Sequence, residues 1–171
     1  MENKMNTIEF LREKVYLPEF MTLTSIDYDK KEWVFNFNPN EPVVARRHIQ
    51  PHYVTPRGID LCIVQAGYSI AENLVNENLL GDLNLETLRQ TLLEGRIRII
   101  DIYEKFRKEL NLREPIQGRF NISRLRLGKN PILKLDFGFA NNTIRGFFTS
   151  IITENPNPQL NSYASRFKIK K

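Results

Sequence analysis

The sequence predicts an α+β domain in which a curled antiparallel sheet wraps one long buried helix. Three observations predict it. From Thr55 to Glu77 (TPRGIDLCIVQAGYSIAENLVNE) the chain is apolar on nearly every side of a helix. Stretches before and after it alternate apolar and polar residues with period two, as strands do. Near the end, Asn141-Asn142 joins two such stretches as a loop able to take positive φ, which makes them a hairpin.

The long helix comes first in the reasoning. Thr55 caps it through its hydroxyl, and Pro56 fits the first helical position, where a missing N–H costs nothing. Ile59, Cys62, Ile63, Ala66, Ile70 and Leu74 recur at helical spacing on one face. Leu61, Val64, Gly67, Ala71 and Val75 make most of the remaining circumference apolar, so the helix is buried. Asp60, Gln65, Glu72 and Asn73 interrupt it and argue against a membrane span.

The other elements follow in order. Residues 7–16 form a short amphipathic helix with Ile8, Leu11 and Val15 on one side, ended by Pro18. Met21–Tyr28 and Glu32–Asn38 are strands; in the second, Trp33, Phe35 and Phe37 make one aromatic face. Asn38–Pro42 is a turn cluster, Val43–Gln50 a short strand, and Pro51–Arg57 a loop into the long helix. Leu83–Glu94 is a second helix with the stripe Leu85, Leu88, Leu92 and Leu93, and Gly95 stops it. Arg96–Arg107, Ile116–Leu127, Ile132–Phe139 and Thr143–Thr153 are four further strands. Residues 155–171 form a mobile polar tail.

Sequential hairpins favour an antiparallel sheet. Wrapped around a single apolar helix, such a sheet is the hot-dog arrangement. An α+β sandwich with the helix on one face is the competing architecture. At 171 residues, with 41% hydrophobic and 26% charged residues, the chain is expected to form one domain, 1–171, with a real core. The single cysteine excludes an intrachain disulfide framework. The start, MENKMNTIEFLREKV, has no apolar signal region, so a cytoplasmic protein is expected. A net charge of +5 is modest, and the strand arginines read as solvated rather than as a nucleic-acid surface.

Chemistry concentrates before and within the first turns of the long helix. Both histidines, His48 and His52, lie there with Tyr53, Arg46, Arg47 and Arg57. Pro51 between the histidines breaks any helix that would pair them on zinc, and no third ligand is near, so no metal is expected. Cys62 lies on the apolar stripe as a core residue, and Ser69 has no triad partners. The histidines have the pKa range of general bases. The helix end has backbone N–H groups and a positive dipole that can polarise a carbonyl, and Gly58 allows close approach. Asp60 either complements the dipole or orients a water. Gln65 is a buried amide in need of partners, structural or belonging to an acyl thioester. Gln65, Ser69, Glu72 and Asn76 form a polar stripe, expected to be solvated or to face a second subunit.

The stretch HYVTPRGIDLCIVQAGYSIAE resembles the FcoT-like hot-dog family, type III fatty acyl-CoA thioesterases. The resemblance is carried by His52-Tyr53, Gln65, Tyr68-Ser69 and the segment FRKELN, Phe106 to Asn111. Val54 and Val64 stand where the family pattern has Asn, which puts hydrolysis in question, with Thr55 or His52 as replacements. NEPVV, Asn40 to Val44, is similar to a stretch of hot-dog dehydratases, but the expected helix carboxylate falls near Ile63. The resemblance implies an enzyme acting on fatty acyl thioesters of CoA or acyl carrier protein, without a cofactor, most simply a hydrolase. Relatives add glycine to a 2-enoyl-carrier thioester in isonitrile lipid formation; there Arg46, Arg47 or Arg57 would hold the glycine carboxylate. A non-catalytic acyl-CoA binder is the third reading. His52, Gly58, Gln65 and Asp60 are the catalytic candidates; Tyr53, Thr55, Arg57, Arg47, His48 and Tyr68 are the substrate-binding ones. Apolar residues of the long helix together with Trp33, Phe35 and Phe37 are expected to bound an acyl slot. A homodimer or larger even oligomer is expected, because hot-dog sites are usually completed across an interface.

Overall fold

A computed structural model describes residues 5–29, 32–38, 56–107 and 115–153; for Glu19, Asp29, Pro56 and Arg57 only the backbone is described. The strand expected over 43–50, the turn 38–42 beyond Asn38, the loop up to Thr55 and the tail 155–171 lie outside these residues.

Six strands form one antiparallel sheet: β1 (Leu23–Asp29), β2 (Glu32–Phe37), β3 (Ile97–Phe106), β4 (Ile116–Arg126), β5 (Ile132–Phe139) and β6 (Ile144–Ile152). Their order across the sheet is β1-β2-β4-β5-β6-β3. The expected hairpin is present, with Phe139 opposite Ile144. Its loop is longer than two residues, because Ala140, Asn141 and Asn142 all take positive φ. One inward face carries Trp33, Phe35, Phe37, Phe120, Leu135, Phe137, Phe139 and Phe148, all buried. Phe35 meets Phe120 edge-on with ring centres 5.2 Å apart, and Phe120 meets Phe139 likewise at 5.6 Å. Such offset contacts suit aromatic quadrupoles.

Helix α2 (Pro56–Asn76) lies against this face. Ile59, Cys62, Ile63, Ala66, Ile70 and Leu74 are essentially inaccessible, as the apolar spacing requires. At about 25 cal/mol per Å² of apolar surface, each such side chain contributes roughly 1.5–3 kcal/mol. No helix among the described residues is long and apolar enough to cross a membrane.

The N-terminal helix α1 (Thr7–Phe10) is capped by Asn6, whose side chain accepts from the Glu9 N–H while Glu9 reaches back to Asn6. It runs on as a wider π turn over Leu11–Val15, burying Phe10 and Leu11. Helix α3 (Leu85–Leu93) is capped by Asn84, buries Leu88 and leaves Leu93 half exposed. Leu93 therefore lies off the buried stripe assigned to it by spacing.

The polar stripe on α2 is a correction. Gln65, Ser69 and Glu72 are buried, and only Asn76 is exposed. They face the chain's own N-terminal segment rather than solvent or another subunit. The Gln65 amide oxygen accepts from the N–H of Thr22 (3.1 Å), the Thr22 hydroxyl (2.9 Å) and the N–H of Leu23 (2.9 Å). Its NH₂ donates to the Phe20 carbonyl at 2.7 Å. Glu72 accepts from Thr7 Oγ1 (2.5 Å), Tyr68 Oη (2.7 Å) and Arg89 Nε (2.7 Å). Arg89 also donates to the Met5 carbonyl (2.8 Å) and stacks 4.5 Å from the Phe10 ring centre. The stripe is a seam that ties α1, α2, α3 and the start of β1 together.

Candidate active site

The first turn of α2 contains Pro56, Arg57 and Gly58, and Asp60 follows just beyond it. Gly58 is half-buried and Asp60 exposed. His48, His52, Tyr53, Thr55 and Arg47 lie outside the described residues, as does the Arg57 side chain. Of the candidates, Gly58, Asp60, Gln65 and Tyr68 therefore lie among the described residues.

Asp60 meets a residue that the sequence did not single out. Its charge and hydrogen bonding act on the carboxyl of Glu104 on β3. Burial first, and then the charge and hydrogen bond of Asp60, push Glu104 up to about 7. Glu104 Oε1 is shielded and has no hydrogen-bond partner, which disfavours its ionised form. The signal was faint. Ile99 pairs with Ser150 and Asp101 with Thr149, so Ile100 is an extra, bulged residue. The bulge shifts the alternation, and only then do Ile97, Ile99, Ile102 and Glu104 share the inward face.

The same two elements enclose an apolar cavity of about 80 Å³. Val64, Gly67, Tyr68 and Ala71 of α2 form one wall, with Ile97 and Ile99 of β3 and Phe148 of β6 opposite. Asp60 lies one helical turn from Val64, on the side where Glu104 follows Ile99 and Ile102 along β3. Carboxyl pair and cavity thus occupy successive positions along one α2–β3 seam. Few polar groups converging on an apolar hollow, one with a shifted pKa, are the physical marks of a functional site.

Of the residues expected around an acyl slot, those of the helix line this cavity and those of the aromatic strand do not. Trp33, Phe35 and Phe37 do not line it; they are consumed in the aromatic core. Tyr68 does line it through its ring, while its hydroxyl is held by Glu72 and its ionisation is pushed up by burial. Gln65 has both ends of its amide occupied within the chain, so its geometry is that of a clamp. Cys62 is buried beside the Thr22 hydroxyl at 3.6 Å, and burial pushes its thiol up to about 12, far from a thiolate nucleophile. Ser69 donates to the Gln65 carbonyl at 2.8 Å. Among the described residues no group of His, Cys, Asp and Glu could hold a metal. A larger, open hollow of about 1170 Å³ lies on the opposite sheet face over Tyr103, Arg119, Arg145 and Phe147.

No family model matches the chain, and no curated protein matches it. Solved structures do. A provisionally assigned thioesterase from Shewanella oneidensis superposes with a TM-score of 0.56 at 11% identity, covering 86% of this chain and 94% of that one. Cj0977, a sigma28-regulated virulence protein from Campylobacter jejuni, gives 0.49 at 14% identity over 88% and 98% of the two chains. A hypothetical thioesterase with coenzyme A from Streptococcus pneumoniae gives 0.41 at 9% over 78% and 88%. The last two superpose too loosely to weigh further. The likeness to the first is one of fold: this chain has the hot-dog fold, an antiparallel sheet curled about its central helix.

Proposed function

We propose that the protein acts on fatty acyl thioesters, carried by CoA or acyl carrier protein, and hydrolyses them. The single observation that carries this reading is the α2–β3 seam, where an apolar hollow lies beside the carboxyls of Asp60 and Glu104 near the start of the helix. The hollow takes the start of an acyl chain. At about 80 Å³ it is smaller than the roughly 150 Å³ cavities that admit benzene, so a long chain must extend beyond it.

With the chain seated there, the thioester carbonyl lies toward the first turn of α2. The positive end of the helix stabilises negative charge developing on its oxygen. Gly58, without a Cβ, permits close approach. Asp60 takes a proton from a water as its oxygen bonds to the carbonyl carbon. The tetrahedral intermediate then collapses, the C–S bond breaks, and the thiolate recovers the proton. His52, Tyr53, Thr55, Arg57, Arg47 and His48 stay assigned by this reading to holding the thioester and its carrier, with His52 as a second base. The site is completed in a homodimer. On β3, at the edge of the sheet formed by the described strands, Ile99, Ile102 and Phe106 are exposed and are the surface this reading gives to the second subunit.

Incubation with saturated and 2-enoyl thioesters, with and without glycine, tests this. Thiol release from saturated substrates is expected, and mass spectrometry identifies the acyl product. Asp60→Asn should lower turnover by roughly 10²–10⁴-fold. Gly58→Val should lower it by roughly a hundredfold or more. A glycine adduct from enoyl substrates, without hydrolysis, would establish glycine addition instead. Binding without turnover would establish the non-catalytic acyl binder.

A further inference from the structure

The hollow between α2 and the β6–β3 edge is apolar with one exception. Leu133, Ser150 and Ile99 stand opposite one another on β5, β6 and β3, and all three line it. Phe148 and Ile152, two residues to either side of Ser150, line it as well, so the serine turns inward with them. Ser150 is half-buried, and among the described residues its hydroxyl has no hydrogen-bond partner. The other hydroxyl at the wall, Tyr68 Oη, is held by Glu72 at 2.7 Å. Ser150 is thus the one side chain of the wall with hydrogen bonding left to offer.

A plain hydrocarbon chain in the hollow strips water from that hydroxyl and gives nothing in return. A bound water needs at least two polar partners, and the side chains of the wall supply one. A hydroxyl or carbonyl oxygen on the chain itself meets the serine directly, since Oγ both donates and accepts. A site that hydrogen-bonds an oxygen of its ligand discriminates far more sharply than an apolar wall that merely tolerates one.

The place of the serine says where on the chain this oxygen stands. The Phe148 ring packs on Gly67, roughly 13 Å along the helix axis from Gly58. Ser150 lies two residues further along β6, toward Ile152, and Leu80, past the end of α2, lines the same hollow. With the thioester carbonyl at the start of α2, the oxygen stands part-way along the chain and not on the carbons next to the thioester.

We propose that Ser150 is a specificity-determining residue, selecting fatty acyl thioesters that carry a hydroxyl or oxo group part-way along the chain. This rests on the reading above of the hollow as the acyl-chain site of a thioester hydrolase.

The test uses the full-length chain with dodecanoyl-CoA, its 3-hydroxy form, and hydroxy and oxo forms substituted from mid-chain to the end. Wild type and Ser150→Ala are compared, with binding read by titration calorimetry and hydrolysis by thiol release. Wild type should favour one of the mid-chain oxygenated forms over dodecanoyl-CoA by on the order of tenfold in kcat/KM, and the 3-hydroxy form should gain nothing. Ser150→Ala should lose that preference and handle dodecanoyl-CoA at least as well as wild type. A wild type that treats every form alike, or a Ser150→Ala variant that keeps the preference, overturns the proposal while hydrolysis stands. A Ser150-dependent preference in binding without any thiol release supports the selectivity and overturns the hydrolytic reading. Neither binding nor hydrolysis of any form overturns both.

Discussion

Phe148 lies so close to Gly67 that a Cβ on the glycine would sit 2.3 Å from the phenylalanine Cζ. The ring of β6 packs directly on the backbone of the central helix, and both residues line the apolar cavity. A glycine inside a helix costs about 1 kcal/mol relative to alanine. Here the helix carries that cost because no side chain fits.

On the proposed function, this contact sets the acyl chain length the hollow accepts. Gly67→Ala should destabilise the fold by about 1–3 kcal/mol through overpacking and shrink the hollow. Phe148→Ala should cost about 3–5 kcal/mol and enlarge it. On the proposed function, the preferred acyl chain lengthens in Phe148→Ala, since each added buried CH₂ contributes up to about 0.8 kcal/mol. Thermal melts and kcat/KM across C4 to C12 thioesters check both. An unchanged preference in a folded Phe148→Ala would remove the hollow from the substrate path.

Gln65 separates a structural from a catalytic role. Gln65→Leu leaves the N–H groups of Thr22 and Leu23 and the Phe20 carbonyl without their partner. Each buried orphan costs about 1–3 kcal/mol, so denaturant melts should show a loss of several kcal/mol. At low temperature the folded fraction should keep wild-type kcat. A kcat drop without a stability loss would return Gln65 to the reaction.

The pair Glu72–Arg89 answers to a different experiment. Glu72 is buried, and Arg89 supplies the opposing charge at 2.7 Å. Arg89→Met strands the carboxylate and should cost about 3–5 kcal/mol. Replacing both, Glu72→Gln with Arg89→Met, should recover part of that loss. A double-mutant cycle with no coupling would show that the seam holds by packing alone.

Assembly is testable at the β3 edge. Ile102→Lys places a charge among the exposed Ile99, Ile102 and Phe106. Sedimentation should report a dimer for wild type at micromolar concentration and a monomer for the variant, with turnover falling together with dimer content. A monomeric wild type that turns over thioesters would show that one chain completes the site.

The sequence by itself determined the elements and the layer they form. A helix apolar on all sides has to be wrapped, and the Trp33, Phe35, Phe37 alternation has to lie on the inner side of whatever wraps it. Those patterns are local, set by the 3.6 and 2.0 residue repeats of helix and strand. They also placed Gly58 in the first turn of α2 and Asp60 just beyond it. Only the tertiary structure decided which strands are neighbours. Period two says which face of a strand is apolar, but not what stands beside it. That β3 joins the far side of β6 rather than β4 is a pairing between segments far apart in sequence, and it brings Glu104 toward the start of α2. The polar stripe went the same way. Gln65 and Glu72 on an apolar helix look like an edge facing water, until the N-terminal segment supplies hydrogen-bond partners from far along the chain. Burial of a polar group depends on who satisfies it, and that is settled by packing between segments that no local repeat connects.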